Sequence, residues 1–514
     1  MSYIYSQVQQ EWVSWYSAPG NSNDRPTAIA VDTSGNVYSA GYNSNTPIYG
    51  FLIVKYNPAG QQQWAKVQTV TPQTTLPVSK KVGIDRQQNV IVAGNDDLWR
   101  IFKYDSGGNL LWQQSYQYGW VNSLAIDDSS NIYVCGSGSG SGTSTDYVVI
   151  KYNPQGVQQW LAYYDSGLYD WPYSMFVDKY RNIYVTGHSA NNQNDNDFVT
   201  VKFDSQGILK WSARYVSPTS SGASGTCVTA DHNGNCFASG VAANFNENNF
   251  FTIKYSPLGD TLWTRGYSNI SSIDLVQPFE IAADNFGNAI VMGRGYTVSD
   301  CYATIKFDGT GNLLWARNLP GFPEDMKLDN EDNIYVSGTA YYINNAFRVS
   351  GVVKYDESGN QKWVKYWNGP ADSSYTAGGN LTIDAAKNVY TNATAILIPG
   401  VSFDDIVTIK YSQPIGIEPI STTISSEFKL HQNYPNPFNP NTKIKYEIIK
   451  NNSQVSLRVF DITGRSLTDL VDEKQNKGVY EIGFNANSFS SGVYFYRLAV
   501  NGNVIDTKKM ILVK

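Results

Sequence analysis

Apolar and polar residues alternate along most of this chain in short runs, which turn-forming residues separate. Before Asp32, Asp85 and Asp127, aliphatic side chains occupy the positions one and three residues upstream. This period of two is typical of β-strands. Other runs, such as FLIVKY (51–56), are apolar on both faces, as expected for strands covered on both sides. The pattern predicts an all-β protein.

Two sequence motifs repeat along the strands. Lys precedes Trp by nine residues, with Gly five after the Lys, in seven segments: KYNPAGQQQW (55–64), KYDSGGNLLW (103–112), KYNPQGVQQW (151–160), KFDSQGILKW (202–211), KYSPLGDTLW (254–263), KFDGTGNLLW (306–315) and KYDESGNQKW (354–363). Asp precedes Asn by four residues in eight segments: 32–36, 85–89, 127–131, 178–182, 231–235, 284–288, 329–333 and 384–388. The period of about 42–55 residues is that of propeller blades with four strands each.

The two ends of the repeat array are complementary. The chain begins with a fourth-strand pattern, EWVSWYS (11–17), and the array stops after a third-strand pattern, DIVTIKY (405–411). The N-terminal strand can therefore complete the last blade, which leaves few open sheet edges. We predict one eight-bladed β-propeller over residues 1–411.

The repeated unit resembles the SBBP β-propeller repeat family, with its pattern K-Y-x-x-x-G-x-x-x-W followed by D-x-x-G-N-x-Y-V-x-G. The resemblance covers about four fifths of the chain and implies the propeller fold. It implies no particular activity, because one propeller fold carries many functions.

The repeated polar residues are expected to be structural. An Asp that opens a turn accepts backbone N–H groups, and Gly supplies a left-handed turn residue. Each Trp is expected to pack between blades, and Lys to pair with Asp. A site that is used once need not be copied into every blade.

Charge and composition exclude several classes of function. The net charge is −6, yet residues 428–514 hold twelve Lys/Arg and seven Asp/Glu, so the remainder carries −11. An acidic body argues against binding to nucleic acid and to anionic membranes. The sequence contains no apolar run of about 18 residues that could span a membrane. We also expect the chain to be a monomer. The N-terminus, MSYIYSQVQQEW, lacks the features of a signal peptide.

Cysteine and histidine are too sparse for most metal or catalytic sites. Cys135, Cys227, Cys236 and Cys301 fit neither a zinc site nor a disulfide framework. Three histidines support neither a Ser–His–Asp site nor a multi-histidine metal site. We predict no cofactor. The segment NDND (194–197) hints weakly at Ca²⁺, without the spaced DxDxDG pattern.

The connections of variable sequence should share one face of the propeller and form the candidate binding site. Their aromatic residues suit the apolar faces of sugar rings, although for any single ring the favoured interpretation is that it packs a loop onto a blade. The ligand-binding candidates are Tyr42, Trp99, Trp120, Trp171, Tyr296, Tyr341, Tyr342 and Trp367.

A second candidate site lies at the position four residues before each repeated Asp. This column should face the central channel, and it includes Glu280 and Asp325. The two carboxylates are weak candidates for an acid/base pair or a cation site. A solvated channel lining is the preferred interpretation.

The C-terminal part follows a linker at 412–424 and has its own β pattern. Its strand-like runs predict a small Ig-like sandwich at 425–514. FKLHQNYPNPFNPNTKIKYEI (428–448), VFDITGR (459–465), SGVYFYRL (491–498) and KKMILVK (508–514) resemble the type A C-terminal sorting domain of the type IX secretion system. The residues that carry this resemblance include Pro435, Pro437, Pro440, Gly464, Gly492, Tyr494, Lys508, Lys509 and Lys514.

That resemblance implies a destination and a partner. It implies export by the type IX machinery of a Bacteroidetes-type bacterium, to the cell surface or the medium, often with removal of the domain. We therefore expect an exported propeller that binds a glycan or protein ligand and is not an enzyme. The alternatives are a secreted glycosidase or lyase that uses carboxylates at the channel mouth, and a structural surface protein.

Overall fold

A computed structural model describes residues 8–18, 23–44, 50–69, 78–140, 144–191, 195–217, 222–244, 247–267, 269–270, 272–342, 347–369, 376–395, 404–413, 427–486 and 489–513. Within these ranges the regular structure is entirely β-strand, so the predicted all-β class is confirmed. The chain divides into a compact unit at Gln10–Ser412 and a second one that contains Gln413–Lys514. The predicted linker lies mostly outside the described residues.

The larger unit is built from short antiparallel strands. Its first half contains β1 (Gln9–Tyr16), β2 (Asp24–Val31), β3 (Val37–Asn43), β4 (Gly50–Tyr56), β5 (Gln62–Thr69), β6 (Val78–Ile84), β7 (Val90–Asn95), β8 (Leu98–Tyr104), β9 (Leu110–Ile126), β10 (Ile132–Ser139), β11 (Thr145–Tyr152), β12 (Gln158–Tyr164), β13 (Asp170–Val177), β14 (Ile183–Ala190), β15 (Asn196–Phe203) and β16 (Leu209–Tyr215). Its second half contains β17 (Ala223–Ala230), β18 (Cys236–Asn244), β19 (Glu247–Tyr255), β20 (Thr261–Tyr267), β21 (Asn269–Ile270), β22 (Ile273–Ala283), β23 (Ala289–Tyr296), β24 (Asp300–Phe307), β25 (Leu313–Leu328), β26 (Ile334–Tyr342), β27 (Phe347–Tyr355), β28 (Gln361–Trp367), β29 (Thr376–Ile383), β30 (Val389–Ala395) and β31 (Asp405–Ser412).

These strands form units of four, and eight such units occur among the described residues. They are β2–β5, β6–β9, β9–β12, β13–β16, β17–β20, β22–β25, β25–β28 and β29–β31 with β1. The long strands β9 and β25 each serve two units, as the last strand of one and the first strand of the next. β1 pairs with β31, so the N-terminal strand completes the last unit as its pattern predicts.

The first strand of each unit packs against the first strand of the next. The order β2, β6, β9, β13, β17, β22, β25, β29 closes again on β2. Apolar side chains fill the space between neighbouring sheets; Tyr38 and Phe51 of the first unit, for example, pack with Val92 and Phe102 of the second. All four cysteines are buried and free. The core is therefore distributed between adjacent sheets around the ring.

The repeated Asp closes the turn between the first two strands of each unit. Asp32 shows the arrangement: Oδ1 accepts the backbone N–H of Ser34 and Asn36, and Oδ2 accepts the side-chain amide of Asn36 at 2.7 Å. The N–H and side-chain amide of the paired Asn are bound in the same way at the equivalent carboxylates: Asp85, Asp127, Asp178, Asp231, Asp284, Asp329 and Asp384. These are the Asx turns that the motif predicts.

The repeated Trp joins each unit to the next one. Trp112 donates its indole N–H to the carbonyl of Pro154 at 3.1 Å, across to the following turn. Gly156 in that turn has φ +81°, and a Cβ there would lie 2.7 Å from the Trp112 ring. The N-terminal Trp12 makes the same bond to Pro58 at 3.0 Å, in the first unit. The glycine is thus required for its conformation and for the room that the neighbouring indole needs.

The repeated Lys is also structural. Lys103 forms a buried ion pair with Asp85 at 2.7 Å and donates to the carbonyl of Pro154 at 2.8 Å. Lys306 pairs with Asp284 in the same way, at 2.8 Å. Other copies place the ammonium over the ring of the second strand, as Lys254 does over Phe237 at 4.7 Å. The repeated charges thus hold turns and units together.

The C-terminal unit consists of two antiparallel sheets around one apolar core. Its strands are β32 (Lys429–Leu430), β33 (Asn441–Ile448), β34 (Ser453–Phe460), β35 (Ser466–Gln475), β36 (Gly478–Asn485), β37 (Gly492–Val500) and β38 (Asn503–Leu512). The sheet orders are β32–β33–β36 and β35–β34–β37–β38. The core between them includes Tyr446, Leu457 and Tyr496.

The proline-rich segment NYPNPFNPNT (433–442) links these two sheets. Tyr434 exchanges two backbone hydrogen bonds with Lys443 in the first sheet, both at 2.9 Å. Four residues later, Phe438 is buried and donates its N–H to Ile511 beside the second sheet, at 2.9 Å. The buried Asn433 donates to Thr442 and to the carbonyl of Pro435. The segment is an ordered strap, fixed by its own side chains.

The remaining residues of the sorting resemblance lie on turns and edges of this unit. Gly464 has φ +82° in a turn closed by Asp461. Tyr494, two residues after Gly492 at the start of β37, donates to the carbonyl of Ser490 at 2.7 Å. The carbonyl of Lys509 accepts hydrogen bonds from the side-chain amides of Gln432 and Asn436, and Lys508 pairs with Asp506 at 3.1 Å. Pro440 accepts an N–H from Ala486 through its carbonyl, and Lys514 lies outside the described residues.

Candidate functional site

Four rings cluster where the third unit connects to the fourth. Tyr169 stacks on Trp171 with ring centroids 5.9 Å apart and planes at 16°. His188, the register partner of Trp171 in β14, lies 6.5 Å from Tyr169 and 5.5 Å from Tyr173. Tyr169 and Tyr173 are 45% and 42% exposed, so the cluster is open to solvent. We call Tyr169, Trp171, Tyr173 and His188 the ring cluster.

A β-bulge positions the ring cluster. The pairing of β13 with β14 shifts between Pro172 and Ser174, so Tyr173 is the extra residue. A bulge interrupts the alternation of side chains and re-aims the residue that it contains. Asn122 of β9 donates its side-chain amide to the carbonyl of Pro172 at 2.5 Å, which ties the bulged strand to the preceding unit.

Trp120 is an exposed ring at the equivalent position of the preceding unit. It lies seven residues before Asp127, as Trp171 lies seven before Asp178. It is 39% exposed, and its backbone N–H donates to Ser137 Oγ at 3.1 Å.

Burial lowers the pKa of His188, which favours the neutral imidazole at pH 7. The surface is therefore aromatic and carries no cationic ring at neutral pH.

Two predicted ligand-binding residues prove to be part of the core. Trp99 is fully buried, packs on Tyr116 with centroids 5.1 Å apart and donates its indole N–H to Ser137. Trp99 therefore has no exposed face for a ligand, and its prediction as a ligand-binding residue was wrong. Trp367 is 8% exposed, so it too is largely withdrawn from solvent.

The other candidates are scattered over different units. Tyr42 is half-buried in β3, and Tyr296 is 47% exposed at the end of β23. Tyr341 packs edge-on against Phe322 with centroids 5.7 Å apart. Tyr342 ends β26, and its side chain lies outside the described part of the chain. The structure brings none of the three described side chains, Tyr42, Tyr296 and Tyr341, into the ring cluster.

Sequence reasoning found Trp171 and missed its neighbours. Tyr169 and Tyr173 flank it at spacings of two, a pattern that in a regular strand places side chains on one face, although Tyr169 precedes β13 and Tyr173 is its bulge residue. That spacing could have indicated Tyr169 and Tyr173 as neighbours of Trp171 in the candidate site. His188 comes from the adjacent strand, and only the register of β13 and β14 places it there.

Glu280 and Asp325 meet as predicted, but a lysine joins them. Lys327 Nζ lies 2.5 Å from Asp325 Oδ1 and 3.3 Å from Glu280 Oε1. The backbone N–H of Met326 donates to Glu280 Oε2 at 2.7 Å, and that of Leu381 to Asp325 Oδ2 at 3.0 Å. Each carboxylate is therefore held on both oxygens.

This geometry does not suit glycoside hydrolysis. The Lys327 ammonium contacts both carboxylates, and backbone N–H groups hold their other oxygens. Hydrolysis by a carboxylate pair needs the two groups on opposite sides of a glycosidic bond, and here a lysine side chain joins them instead. The pair, with Lys327, is better suited to linking the first strands of neighbouring units.

Burial, assisted by the adjacent Asp325 carboxylate, raises the pKa of Glu280 to about 7 despite the opposing effect of the Lys327 ammonium. The Glu280 side chain is 34% exposed, so solvent screens a share of this effect. Asp325 is more deeply buried, and the Lys327 ammonium beside it holds the pKa of that carboxyl below its usual range despite burial. Lys81 of β6 lowers both pKa values, which places its charge near the same pair.

We expect this pair to make stability depend on pH. Because the pKa of Glu280 is raised in the folded state, the folded protein keeps a proton that the unfolded chain has lost, and stability should fall as pH rises from about 4.5 to 7. Glu280→Gln should remove roughly 1 kcal/mol of that fall, after solvent screening. Urea midpoints at pH 5, 6 and 7 measure it. The exposed Glu357→Gln is the control; equal slopes in parent and Glu280→Gln would contradict the assignment.

The NDND segment offers no free carboxylate at its end. Asp197 Oδ2 pairs with Arg214 at 2.7 Å, and its Oδ1 accepts the Asn191 side-chain amide at 3.0 Å. Asp195 accepts the neighbouring N–H of Asn196, and Asn194 lies outside the described residues. The counter-ion at Asp197 is an arginine of β16, which leaves this carboxylate less suited to bind Ca²⁺.

Comparison with known families identifies parts of both units. The model described as "Secretion system C-terminal sorting domain" matches residues 432–514, which contain the strap and the two-sheet core. The C-terminal unit is a secretion-system sorting domain. The model described as "Beta-propeller repeat" matches residues 113–142, from within β9 to beyond β10. The sorting domain implies export to the cell surface or the medium and engagement of the type IX machinery.

Solved structures with a similar fold are propellers. The Dos1 propeller aligns with a TM-score of 0.53 at 9% identity, over 79% of this chain and 95% of that one. Sqt1 from Chaetomium thermophilum aligns with a TM-score of 0.52 at 9% identity, over 79% and 100%. At these identities the similarity establishes the β-propeller fold alone.

One curated relative is detectable from sequence. It is an uncharacterized WD repeat-containing protein of Acanthamoeba polyphaga mimivirus, 24% identical over 349 residues. The match covers 60% of this chain and 23% of the viral protein, so the chain spans less than a quarter of that relative's length. Among the described residues, no helix is long and apolar enough to cross a membrane.

Proposed function

We propose that this chain is an exported β-propeller that binds a glycan through the ring cluster and Trp120. The eight four-stranded units are its eight blades, and the sorting domain is an Ig-like sandwich. The observation that carries the proposal is the solvent-open stack of Tyr169 on Trp171, beside the exposed Tyr173. Surface aromatic residues grouped in this way mark binding sites more often than isolated ones do.

The chemistry of the cluster favours sugar rings. The apolar face of a pyranose packs on an aromatic face, while its hydroxyls need polar partners at the edge. Tyr169 and Tyr173 provide phenolic hydroxyls, and the neutral His188 provides one donor and one acceptor. The Asp165 carboxylate four residues before Tyr169 adds negative charge, as does the acidic body of the chain. Neutral or basic glycans are therefore expected ligands, and polyuronates are not.

The alternative of a carboxylate-based enzyme has less support. Glu280 and Asp325 are both engaged by Lys327 and by backbone N–H groups. An acid/base pair for glycoside chemistry would need one carboxyl group free on each side of the bond. A binding role requires only the exposed rings.

The proposal predicts a loss of affinity when one ring is removed. Native gels that contain neutral polysaccharides should retard the intact chain, and Trp171→Ala should weaken this binding at least tenfold, about 1.4 kcal/mol. Tyr180→Ala is the matched control, because Tyr180 is 63% exposed on a repeated turn of the same unit. Equal retardation of parent and Trp171→Ala would contradict the site.

A further inference from the structure

Three carboxylates converge next to the ring cluster. Asp146 begins the third strand of one unit, and Asp165 and Asp170 lie on the connection to the next unit. One oxygen of each lies within 4.8 Å of the others. Asp146 and Asp170 are fully buried, whereas Asp165 is exposed. Like charges at this separation repel strongly unless something compensates them.

Two of these carboxylates have a buried oxygen without a partner. Asp146 Oδ2 accepts the N–H of Gly140 at 2.6 Å, and Asp170 Oδ2 accepts that of Ser166 at 2.8 Å. The Oδ1 atoms of Asp146 and Asp170 are buried and have no hydrogen-bond partner among the described atoms. A buried, unsatisfied carboxylate oxygen is costly, so two of them within one carboxylate cluster point to a cation as their partner.

The same chain contains a closed version of this arrangement. Asp24 begins β2 as Asp170 begins β13, and its Oδ2 likewise accepts an upstream N–H, from Ala18 at 2.7 Å. Its Oδ1, however, accepts the side-chain amide of Asn43, its register partner, at 2.8 Å. The register partner of Asp170 is Ser189, whose hydroxyl leaves Oδ1 without a hydrogen bond. The unit that holds the ring cluster therefore has Ser189 where the first unit has Asn43, and no side-chain amide binds Oδ1 of Asp170 as Asn43 binds Oδ1 of Asp24.

The described cationic side chains compensate the charge of these three carboxylates only in part. Among the described residues none of the three forms an ion pair with Lys or Arg. Arg214 acts on Asp170 electrostatically, but its guanidinium bonds Asp197 at 2.7 Å and Ser189 at 2.5 Å. Burial raises the pKa of Asp146, and the charges of Asp165 and Asp170 raise it further. Burial also raises the pKa of Asp170.

We propose that Asp146, Asp165 and Asp170 bind a divalent cation, and that this cation is Ca²⁺. All-oxygen carboxylate ligands are those of Ca²⁺ and Mg²⁺. Ca²⁺ accepts several carboxylates in irregular geometry, whereas Mg²⁺ demands a near-ideal octahedron and is usually held by one or two carboxylates together with water. Backbone N–H groups already hold one oxygen of each carboxylate, including Asp165 through Gly167 at 2.7 Å. Water or a ligand hydroxyl would complete the coordination.

The ion would fix the segment that presents the ring cluster. Asp170 lies between Tyr169 and Trp171 in sequence, and Asp165 begins the same connection. A cation that joins both to Asp146 therefore holds the stacked pair against β11. This consequence rests on the proposed glycan function; the metal site itself does not.

Calorimetric titration of the intact, chelator-treated chain with CaCl₂ and MgCl₂ tests the site. We expect one Ca²⁺ site with a Kd of about 10⁻⁴ to 10⁻³ M, typical of extracellular modules, and weaker binding of Mg²⁺. Asp165→Asn should weaken Ca²⁺ binding at least tenfold, and because Asp165 is exposed the variant should fold as the parent does. Asp260→Asn removes an exposed Asp from a repeated turn and should leave the Kd unchanged.

Terbium provides a second readout, because Tb³⁺ at Ca²⁺ sites luminesces when a nearby Tyr or Trp is excited. Binding at this site should sensitise emission that Ca²⁺ displaces and that Asp165→Asn abolishes. No Ca²⁺ heat in the parent, or an unchanged Kd in Asp165→Asn, would overturn the metal site. Ca²⁺ binding without any glycan binding would leave the metal site standing and contradict the proposed function instead.

Discussion

A chain that ends at residue 424 should fail to reach the cell surface or the medium. Expressed behind a signal peptide in a bacterium with type IX secretion, it should accumulate in the periplasm, with at least a tenfold fall in exported protein. The reason is that the sorting domain at residues 432–514 is the part that the secretion machinery engages. Cell fractionation followed by immunoblotting measures the distribution.

The truncation removes one compact unit and leaves the other whole. The strands of Gln10–Ser412 end before the cut, and the core of the sorting domain is built from its own strands. The truncated chain should therefore keep the β-sheet circular dichroism of the parent, which separates an export defect from misfolding. An exported fraction equal to that of the parent would refute the role of the domain.

Gly156→Ala should lower the free energy of unfolding by roughly 2–4 kcal/mol. The substitution places a Cβ on a residue with φ +81°, which costs about 1 kcal/mol, and drives it to within 2.7 Å of the Trp112 ring. Overpacking of a fixed ring adds about 1–3 kcal/mol. Urea unfolding followed by tryptophan fluorescence measures the change.

Gly167→Ala separates the two contributions. Gly167 has nearly the same backbone conformation, φ +83°, yet nothing lies within 4 Å of the position that a Cβ would occupy. Gly167→Ala should lower the free energy of unfolding only by the cost of the left-handed conformation, about 1 kcal/mol. If both variants lost equal stability, contact with the Trp ring would not be what the repeated glycine protects.

The repeat could be predicted because its causes are local. Asp, Gly and Trp occupy fixed positions in each unit, and each acts on a turn or on the adjacent unit. The pairing of β1 with β31 followed from counting strand patterns at the two ends. The continuous strands β9 and β25 were not anticipated, because Gly119 and Gly321, which lie within them, are residues that usually indicate a turn.

The candidate site was harder to predict because it depends on loop length and register. Trp99 was placed in a loop, but β7 and β8 are joined by only two residues, so it lies within a strand and enters the core. Asp146 and Asp170 are 24 positions apart in sequence and meet only through the stacking of two units. Their unpartnered oxygens become visible only once every neighbour is placed.

The central claim is that the face bearing the ring cluster binds a glycan, and a glycan array probed with the labelled intact chain tests it most directly. The array should be run with Ca²⁺ and with chelator, alongside Trp171→Ala and Tyr180→Ala. The intact chain should bind neutral or basic glycans, Trp171→Ala should lose this binding, and Tyr180→Ala should retain it. An empty array, or hits that Trp171→Ala leaves unchanged, would contradict it.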